Sequence, residues 1–319
     1  MSRRLAPVPA LGLSLALLLA VGALAPFVSR SGVTLERNLL ELHLPRVVLG
    51  LLAGIGLAGC GTALQAVLKN PLADPYTLGI SSGAALGVAA ALQLPWDGLP
   101  LIGWAVPHTF LGALVGALLA AGLVYAIAAR RALAAETLLL AGVAVALFSG
   151  ALLSALRYRA DTPDLIALVQ WSLGSLTIVG WRKVLLLLPG LIVGAGLLVA
   201  VLRQLDVAAL DDDSARGLGV EPVRVRRLAF LGASLVTAGV VAAAGPIGFV
   251  GLVVPHAVRG LVGPDPRLLL PCAAAVGGAF LVACDLVART ALHSTDLPTG
   301  VITQAIGCPA FVWILVRRR

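Results

Sequence analysis

Long apolar runs separated by short charged segments make up this chain, and that pattern restricts its fold more than any other feature. Most runs approach about 20 residues, the length at which an α-helix crosses the hydrocarbon core of a bilayer. In lipid the backbone polar groups must be satisfied internally, so segments of this kind form helices. Because 60% of the residues are hydrophobic and only 12% are charged, a soluble domain and a disordered chain are both excluded. We therefore predict an all-α polytopic membrane protein with a single transmembrane domain over residues 1–319.

Ten membrane-spanning helices are predicted. Their approximate ranges are 11–28, 46–68, 77–94, 101–128, 137–157, 183–203, 226–244, 247–262, 268–289 and 300–316. Basic residues stand at both ends of the chain, at Arg3 and Arg4 and again at 317–319. They favour cytoplasmic N- and C-termini, which require an even number of crossings. The first run also resembles a signal peptide, but Pro26 would follow the cleavage site, so we prefer an uncleaved helix.

Several function classes are disfavoured by what the sequence lacks. The net charge of +8 comes from basic residues between apolar runs, where they orient helices, so no nucleic-acid partner is expected. The four cysteines lie inside apolar runs without metal or haem spacing, and no two histidines have metal-ligand spacing on one helix. No G-x-x-x-x-G-K-[ST] loop occurs, so this chain is not expected to bind ATP or any other cofactor, and any ATP-derived energy must come from another chain.

A short polar loop, 69–75, interrupts the apolar stretch from His43 to Gly87. Asn70-Pro71 and Asp74-Pro75 each disfavour helix at the residue before proline, so one helix ends here and another begins beyond. A second break, at Gly245-Pro246, ends a Gly/Ala-rich helix in the other half of the chain. Paired interrupted helices of this kind are typical of inverted repeats.

The segment Gly79-Ile80-Ser81-Ser82-Gly83 matches the G-x-S-x-G motif of serine hydrolases. That motif needs a strand before it, whereas here it opens a membrane helix. We prefer a helix-packing role for these small residues, continued by Gly87 four positions after Gly83. An intramembrane serine hydrolase at Ser81 remains the enzyme alternative.

An intramembrane acid, Asp285, suggests a further alternative, an ion-coupled secondary transporter. Arg289 follows Asp285 by four residues, so on a helix the two side chains face each other and can neutralise each other.

The sequence resembles the FecCD-type permeases, the type II ABC importers of iron-siderophores, haem and cobalamin. The matching segments are LPR at 44–46, a Gly/Ala-rich run ending in Gln65, NPLADP at Asn70, Pro71, Asp74 and Pro75, LGISSGAALG, GPIGFVGLVVPH with Pro246, Pro255 and His256, GPDPR, and DLPTGVITQAIG. The resemblance implies a transport subunit and not an enzyme, working by alternating access in the cell inner (plasma) membrane.

Partners follow from the same resemblance. It implies a homodimer with the cargo pathway on its two-fold axis, lined by the fifth and tenth spans. It also implies two ABC ATPase subunits, which use ATP and magnesium, and a periplasmic or lipid-anchored substrate-binding protein. The expected cargo is an iron chelate, a siderophore complex or haem, with cobalamin as the alternative.

The largest charged loop, 204–227, is placed inside, and two short helices would fit its sequence. By resemblance it holds the segment that couples to the ATPase, with Ala209, Leu210, Ala215, Arg216, Leu218 and Gly219 as its contact residues. We expect this segment to project from the bilayer and to pack against no span.

Docking of the binding protein on the outer face is assigned by resemblance to Arg46 and Arg289. His43 stands where a third arginine would be expected, so its contact would depend on pH.

Overall fold

The computed structural model describes residues 6–29, 32–33, 37–95, 98–101, 104–177, 180–208, 210–292 and 296–317. In these residues the fold is all-α except for two small hairpins, β1 (Val28–Ser29) with β2 (Gly32–Val33) and β3 (Gly98–Leu101) with β4 (Trp104–Pro107). The helices are α1 (Pro7–Leu24), α2 (Arg37–Val67), α3 (Ile80–Leu92), α4 (His108–Ala129), α5 (Ala135–Arg159), α6 (Thr162–Ser172), α7 (Arg182–Val201), α8 (Leu205–Ala208), α9 (Asp212–Gly217), α10 (Pro222–Ala244), α11 (Val250–Val262), α12 (Pro266–Thr290) and α13 (Thr299–Arg317).

Within the described ranges, seven helices are long and apolar enough to cross a membrane, judged by length and composition. They are α1, α2, α4, α5, α7, α10 and α12. Three shorter apolar helices, α3, α11 and α13, occupy the other predicted runs. The chain is therefore a multi-pass helical membrane protein, and the number of ten crossings stays a prediction.

Two features of the elements differ from the prediction. The fourth run begins in the hairpin of β3 and β4 and becomes helical only at His108, because Pro107 disfavours helix in the residue before it. Helix α6, between the fifth and sixth predicted spans, was not predicted at all.

Helix α2 lies in the middle of the molecule. It packs against α10, α11 and α12, and it shares with α10 the deepest burial of the candidate spans. Its close approach to α12 occurs where Gly54 faces Gly277, and a Cβ atom on Gly54 would overlap the backbone of Gly277. In lipid such small residues drive helix association, since van der Waals contact replaces the hydrophobic effect.

The two predicted breaks in the helices contact each other. Tyr76 lies in the 3₁₀ turn Pro75–Leu78 at the end of the polar loop. Its hydroxyl oxygen accepts a hydrogen bond of 3.0 Å from the Ile247 amide. Asp74 is buried and accepts from the amide of Tyr76. Non-helical backbone of this kind is stable between spans only where protein buries it and satisfies its polar groups.

Candidate functional site

A buried cluster of charges joins α2, α12 and the segment that begins α13. We call it the outer cluster, after the outer face on which the sequence predicts these helix ends to lie, and define it as Arg46, Asp285, Arg289, Asp296 and Thr299. Arg46 donates from Nε and Nη2 to the Asp285 carboxylate at 2.8–3.1 Å, and from Nη1 to Asp296 at 2.6 Å. The Thr299 hydroxyl donates to Asp285 at 2.9 Å. One carboxylate therefore holds groups from three helices.

The predicted pair of Asp285 and Arg289 is present, with Arg289 Nε 3.2 Å from Asp285 Oδ2. The second arginine on this carboxylate was not predicted, because Arg46 lies 239 residues away in the chain. Asp285 is 1% exposed and lies against two guanidinium groups and one hydroxyl. The Asp285 oxygens are thus occupied by protein groups, which gives this residue a structural role and does not favour ion carriage in a secondary transporter.

The outer cluster contains two of the predicted docking residues. Arg46 is 6% exposed and Arg289 is 3% exposed, so neither guanidinium stands open on the surface. Docking through Arg46 and Arg289 therefore stays a prediction. His43 is partly exposed, and its Nδ1 lies 3.1 Å from the carbonyl oxygen of Pro26. Since a carbonyl only accepts, this contact places a proton on Nδ1.

The predicted coupling segment contains the two expected short helices, α8 and α9. Asp211 begins α9 by accepting from the Ser214 amide at 2.9 Å, and Gly219, with φ of 79°, follows its end. A carboxylate at this position satisfies a free amide and complements the helix dipole. Leu210 and Leu218 are 45% and 64% exposed, and Arg216 is also exposed. Ala209 lies outside the described residues.

The expectation that this segment packs against no span is wrong. Arg226 of α10 donates to both oxygens of Asp212, at 3.1 and 2.7 Å, and is itself buried. Ala215 of α9 is fully buried, and Lys69, just after α2, donates to the Leu210 carbonyl. The Arg226 guanidinium holds the pKa of Asp212 below its usual range. The segment is thus fixed to two central helices, which composition alone does not reveal.

A cleft of about 580 Å³, lined by both apolar and charged residues, lies beside this segment at the predicted inner end of α2. Gln65 on its wall donates to the Gly251 carbonyl at 3.2 Å and accepts from Arg259 at 2.9 Å. Gln65 therefore joins α2 to both ends of α11, which is a structural role for this motif residue.

The polar loop after α2 is organised by its own side chains. Asn70 accepts from the Leu72 amide at 2.9 Å, and Asp74 caps the 3₁₀ turn that starts at Pro75. Pro71 is partly buried and lines the cleft beside Gln65. The turn ends at Gly79, whose φ of 78° is readily adopted only by glycine.

The G-x-S-x-G segment lacks the strand that a nucleophile elbow needs, because a 3₁₀ turn precedes it. Ser82 donates to the Gly79 carbonyl at 2.9 Å, and Ser81 is partly buried in the first turn of α3. Gly83 lies against Gly116 of α4, where a Cβ atom would overlap the opposing backbone. This close approach is the packing role predicted for Gly83.

Three further motif residues lie at the second break or in the helix that follows it. The Pro246 carbonyl lies against Gly174 and Gly300, and Pro255 is buried within α11. His256 is partly buried beside it. In the part of the chain that the structure describes, no group of three or more His, Cys, Asp or Glu residues could hold a metal ion.

The comparisons with known proteins agree along nearly the whole chain. The model of the FecCD transport family matches residues 12–317. The cobalamin import system permease protein BtuC of Halobacterium salinarum is 45% identical over 275 residues, covering 86% of this chain and 72% of that protein. The hemin transport system permease protein HmuU of Yersinia pestis is 40% identical over 285 residues, covering 88% and 83%. A solved metal-chelate type ABC transporter in an inward-facing conformation superposes with a TM-score of 0.86 at 28% identity, covering 98% of this chain and 100% of that one.

Proposed function

Since this chain belongs to the FecCD transport family, we propose that it is the permease subunit of an ATP-driven importer whose cargo is a metal chelate. The observation that carries the proposal is the superposition, over 98% of the chain, on a metal-chelate type ABC transporter. As a permease the chain is a transport subunit and not an enzyme, and an ATPase and a substrate-binding protein are its partners. ATP and magnesium are used by the ATPase.

The proposed cargo is an iron chelate, either haem or a siderophore complex, in line with the hemin relative. Cobalamin is kept as a second candidate, because a relative named for cobalamin import is 45% identical. Both are large, rigid metal complexes, which suit a pathway between apolar helices with few specific contacts.

The proposed assembly is a homodimer with the cargo pathway between the two copies. Support comes from apolar faces that this single chain leaves uncovered on α5 and α13. Leu147 and Phe148 of α5 are 71% and 60% exposed, and Val312 and Trp313 of α13 are 58% and 56% exposed. Large exposed apolar surfaces mark contacts with lipid or with another subunit.

Coupling to the ATPase is proposed at α8 and α9, where Leu210, Arg216 and Leu218 are exposed and the helices are fixed to α2 and α10. Movement of the segment would then reach the centre of the permease and shift it between outward-open and inward-open states. The binding protein is proposed to dock at the opposite end, with His43 at the surface and Arg46 and Arg289 beneath it. Basic residues at the chain ends support cytoplasmic termini in the inner membrane.

Reconstitution tests this function. Vesicles containing the chain, its ATPase and its binding protein should take up radiolabelled haem, ferric siderophore or cobalamin only when ATP is supplied. Ionophores that collapse proton and sodium gradients should not reduce uptake. Gradient-driven uptake by the purified chain alone would overturn the proposal and favour the secondary transporter.

A further inference from the structure

The first residues of α13 are held by contacts with several distant parts of the fold. Thr299, the first residue of α13, is fully buried and donates to Asp285 of α12 at 2.9 Å. Asp296, in the loop just before α13, accepts from Arg46 of α2 at 2.6 Å. The next backbone amide, that of Gly300, donates to the Gly174 carbonyl at 2.9 Å. The beginning of α13 is therefore anchored to α2, to α12 and to the segment after α6.

The rest of α13 is covered on one face only. Gln304 is exposed, and Trp313 near the other end is 56% exposed. On the opposite face Gly307 is buried and packs against the Phe249 side chain just before α11. The direction in which α13 points is therefore set by this one-sided packing together with the hydrogen bonds around its first turn.

The chemistry of the outer cluster makes these bonds strong. Asp285 lies against Arg46 and Arg289, so Thr299 donates to an ionised acceptor, and hydrogen bonds to charged groups exceed neutral ones in strength. Low exposure preserves this strength, since little water competes for the same atoms. The Asp296 side chain is 28% exposed, against 1% for Asp285, so the bond between Asp296 and Arg46 is the one that can open first.

We propose that Asp285 and Thr299 are positioning residues for α13, and that α13 changes its direction during transport only when its bonds to the outer cluster open. Neither side chain contacts cargo in this scheme. Both act through the orientation of a helix that the proposed function places beside the cargo pathway, so the inference rests on that proposed function for its meaning in transport.

The test removes one bond and leaves the charges in place. Thr299→Val has nearly the shape of threonine but cannot donate, and Thr299→Ser is the matched control that keeps the hydroxyl. The direction of α13 is followed by maleimide labelling of Gln304→Cys in a Cys308→Ser background, since the other three cysteines are buried. We expect Thr299→Val to change the labelling rate about tenfold, as loss of one hydrogen bond to a charged group would in an equilibrium. Thr299→Ser should label at the rate of the parent.

Equal labelling of Thr299→Val and Thr299→Ser would overturn the proposal. A second variant, Asp296→Asn, weakens the other bond and should change labelling in the same direction as Thr299→Val, whereas labelling equal to the parent would also count against the proposal. In the reconstituted importer, uptake per ATP hydrolysed should fall in Thr299→Val and be retained in Thr299→Ser. Labelling is measured without ATP or cargo, so a failure of the proposed function would show in the unmodified importer and leave the labelling result intact.

Discussion

At the scale of single residues, the outer cluster is the part of the chain most sensitive to a change of charge. Arg46 donates to both Asp285 and Asp296 from a position that is 6% exposed. Removing one partner of a buried ion pair leaves the other charge desolvated and without compensation, which costs far more than loss of a surface pair. We therefore expect Arg46 to contribute mainly to the stability of the folded protein.

Arg46→Gln should therefore lower the free energy of unfolding by about 3 kcal/mol or more. Arg182→Gln, at an exposed arginine near the start of α7, should change it by no more than about 0.5 kcal/mol. Thermal unfolding in detergent measures both. If Arg46→Gln melts like the unmodified protein while binding-protein association is lost, Arg46 is a docking residue, as the sequence resemblance implies.

At the scale of elements, helices α3 and α4 depend on glycines that bring their backbones together. Gly83 and Gly87 of α3 lie against Gly112 and Gly116 of α4, with no room for a side chain at any of these positions. Gly122, also on α4, has open space where a Cβ atom would stand. The two kinds of glycine on one helix provide an internal control.

Gly116→Leu should separate α3 from α4 and greatly reduce the yield of monodisperse protein, because the overlap is with backbone and no side chain can move aside. Gly122→Leu should give a yield close to that of the unmodified chain. Size-exclusion chromatography of the two variants in detergent decides the matter, and equal yields would show that the glycine contact is not required.

The coupling segment gives a second prediction at this scale. Asp212→Asn should loosen α9, because Arg226 then has no carboxylate in that position, and amide hydrogen exchange over 210–220 should rise. Asp213→Asn is the control, since its ion pair with Arg216 is exposed and such pairs contribute little. Similar exchange in both variants would contradict the bracing role of Arg226.

The same pair has a defined pH dependence. Arg226 lowers the pKa of Asp212 in the folded protein, so the contribution of the pair to stability is fully present above the unfolded pKa of about 3.9. It is lost only as the pH falls through the lower, folded value. Exchange over 210–220 should thus show no titration of this pair between pH 8 and pH 5.

At the scale of the whole molecule, the proposed dimer places a second copy on one of several uncovered apolar faces. Leu147 on α5 is 71% exposed and Leu19 on α1 is 70% exposed, so exposure alone does not distinguish them. In the proposed dimer α5 faces the partner, and α1 faces lipid. In a Cys308→Ser background, Leu147→Cys should be cross-linked into dimers by a bifunctional maleimide, and Leu19→Cys should not. Cross-linking through position 19 alone would place the interface on the other side of the chain.

The sequence by itself determined the features that depend on neighbours a few residues apart. Apolar run length predicted the helices, proline and glycine predicted the breaks near Asn70 and Gly245, and helical spacing predicted the pair of Asp285 and Arg289. These properties follow from the periodicity of the helix and from proline geometry, both of which are local. The family motifs, read in the same way, identified the transport function.

Only the tertiary structure decided which of these elements meet. It brought Arg46 to Asp285 and Arg226 to Asp212. The second contact corrected an expectation, because a segment predicted to pack against no span is braced, whereas Arg46 is buried and its docking role stays a prediction. The physical reason is that an ion pair between distant residues forms only where helix packing brings the two charges together. That packing depends on close backbone contacts such as Gly54 against Gly277, which no local pattern in a chain with 36 glycines can single out.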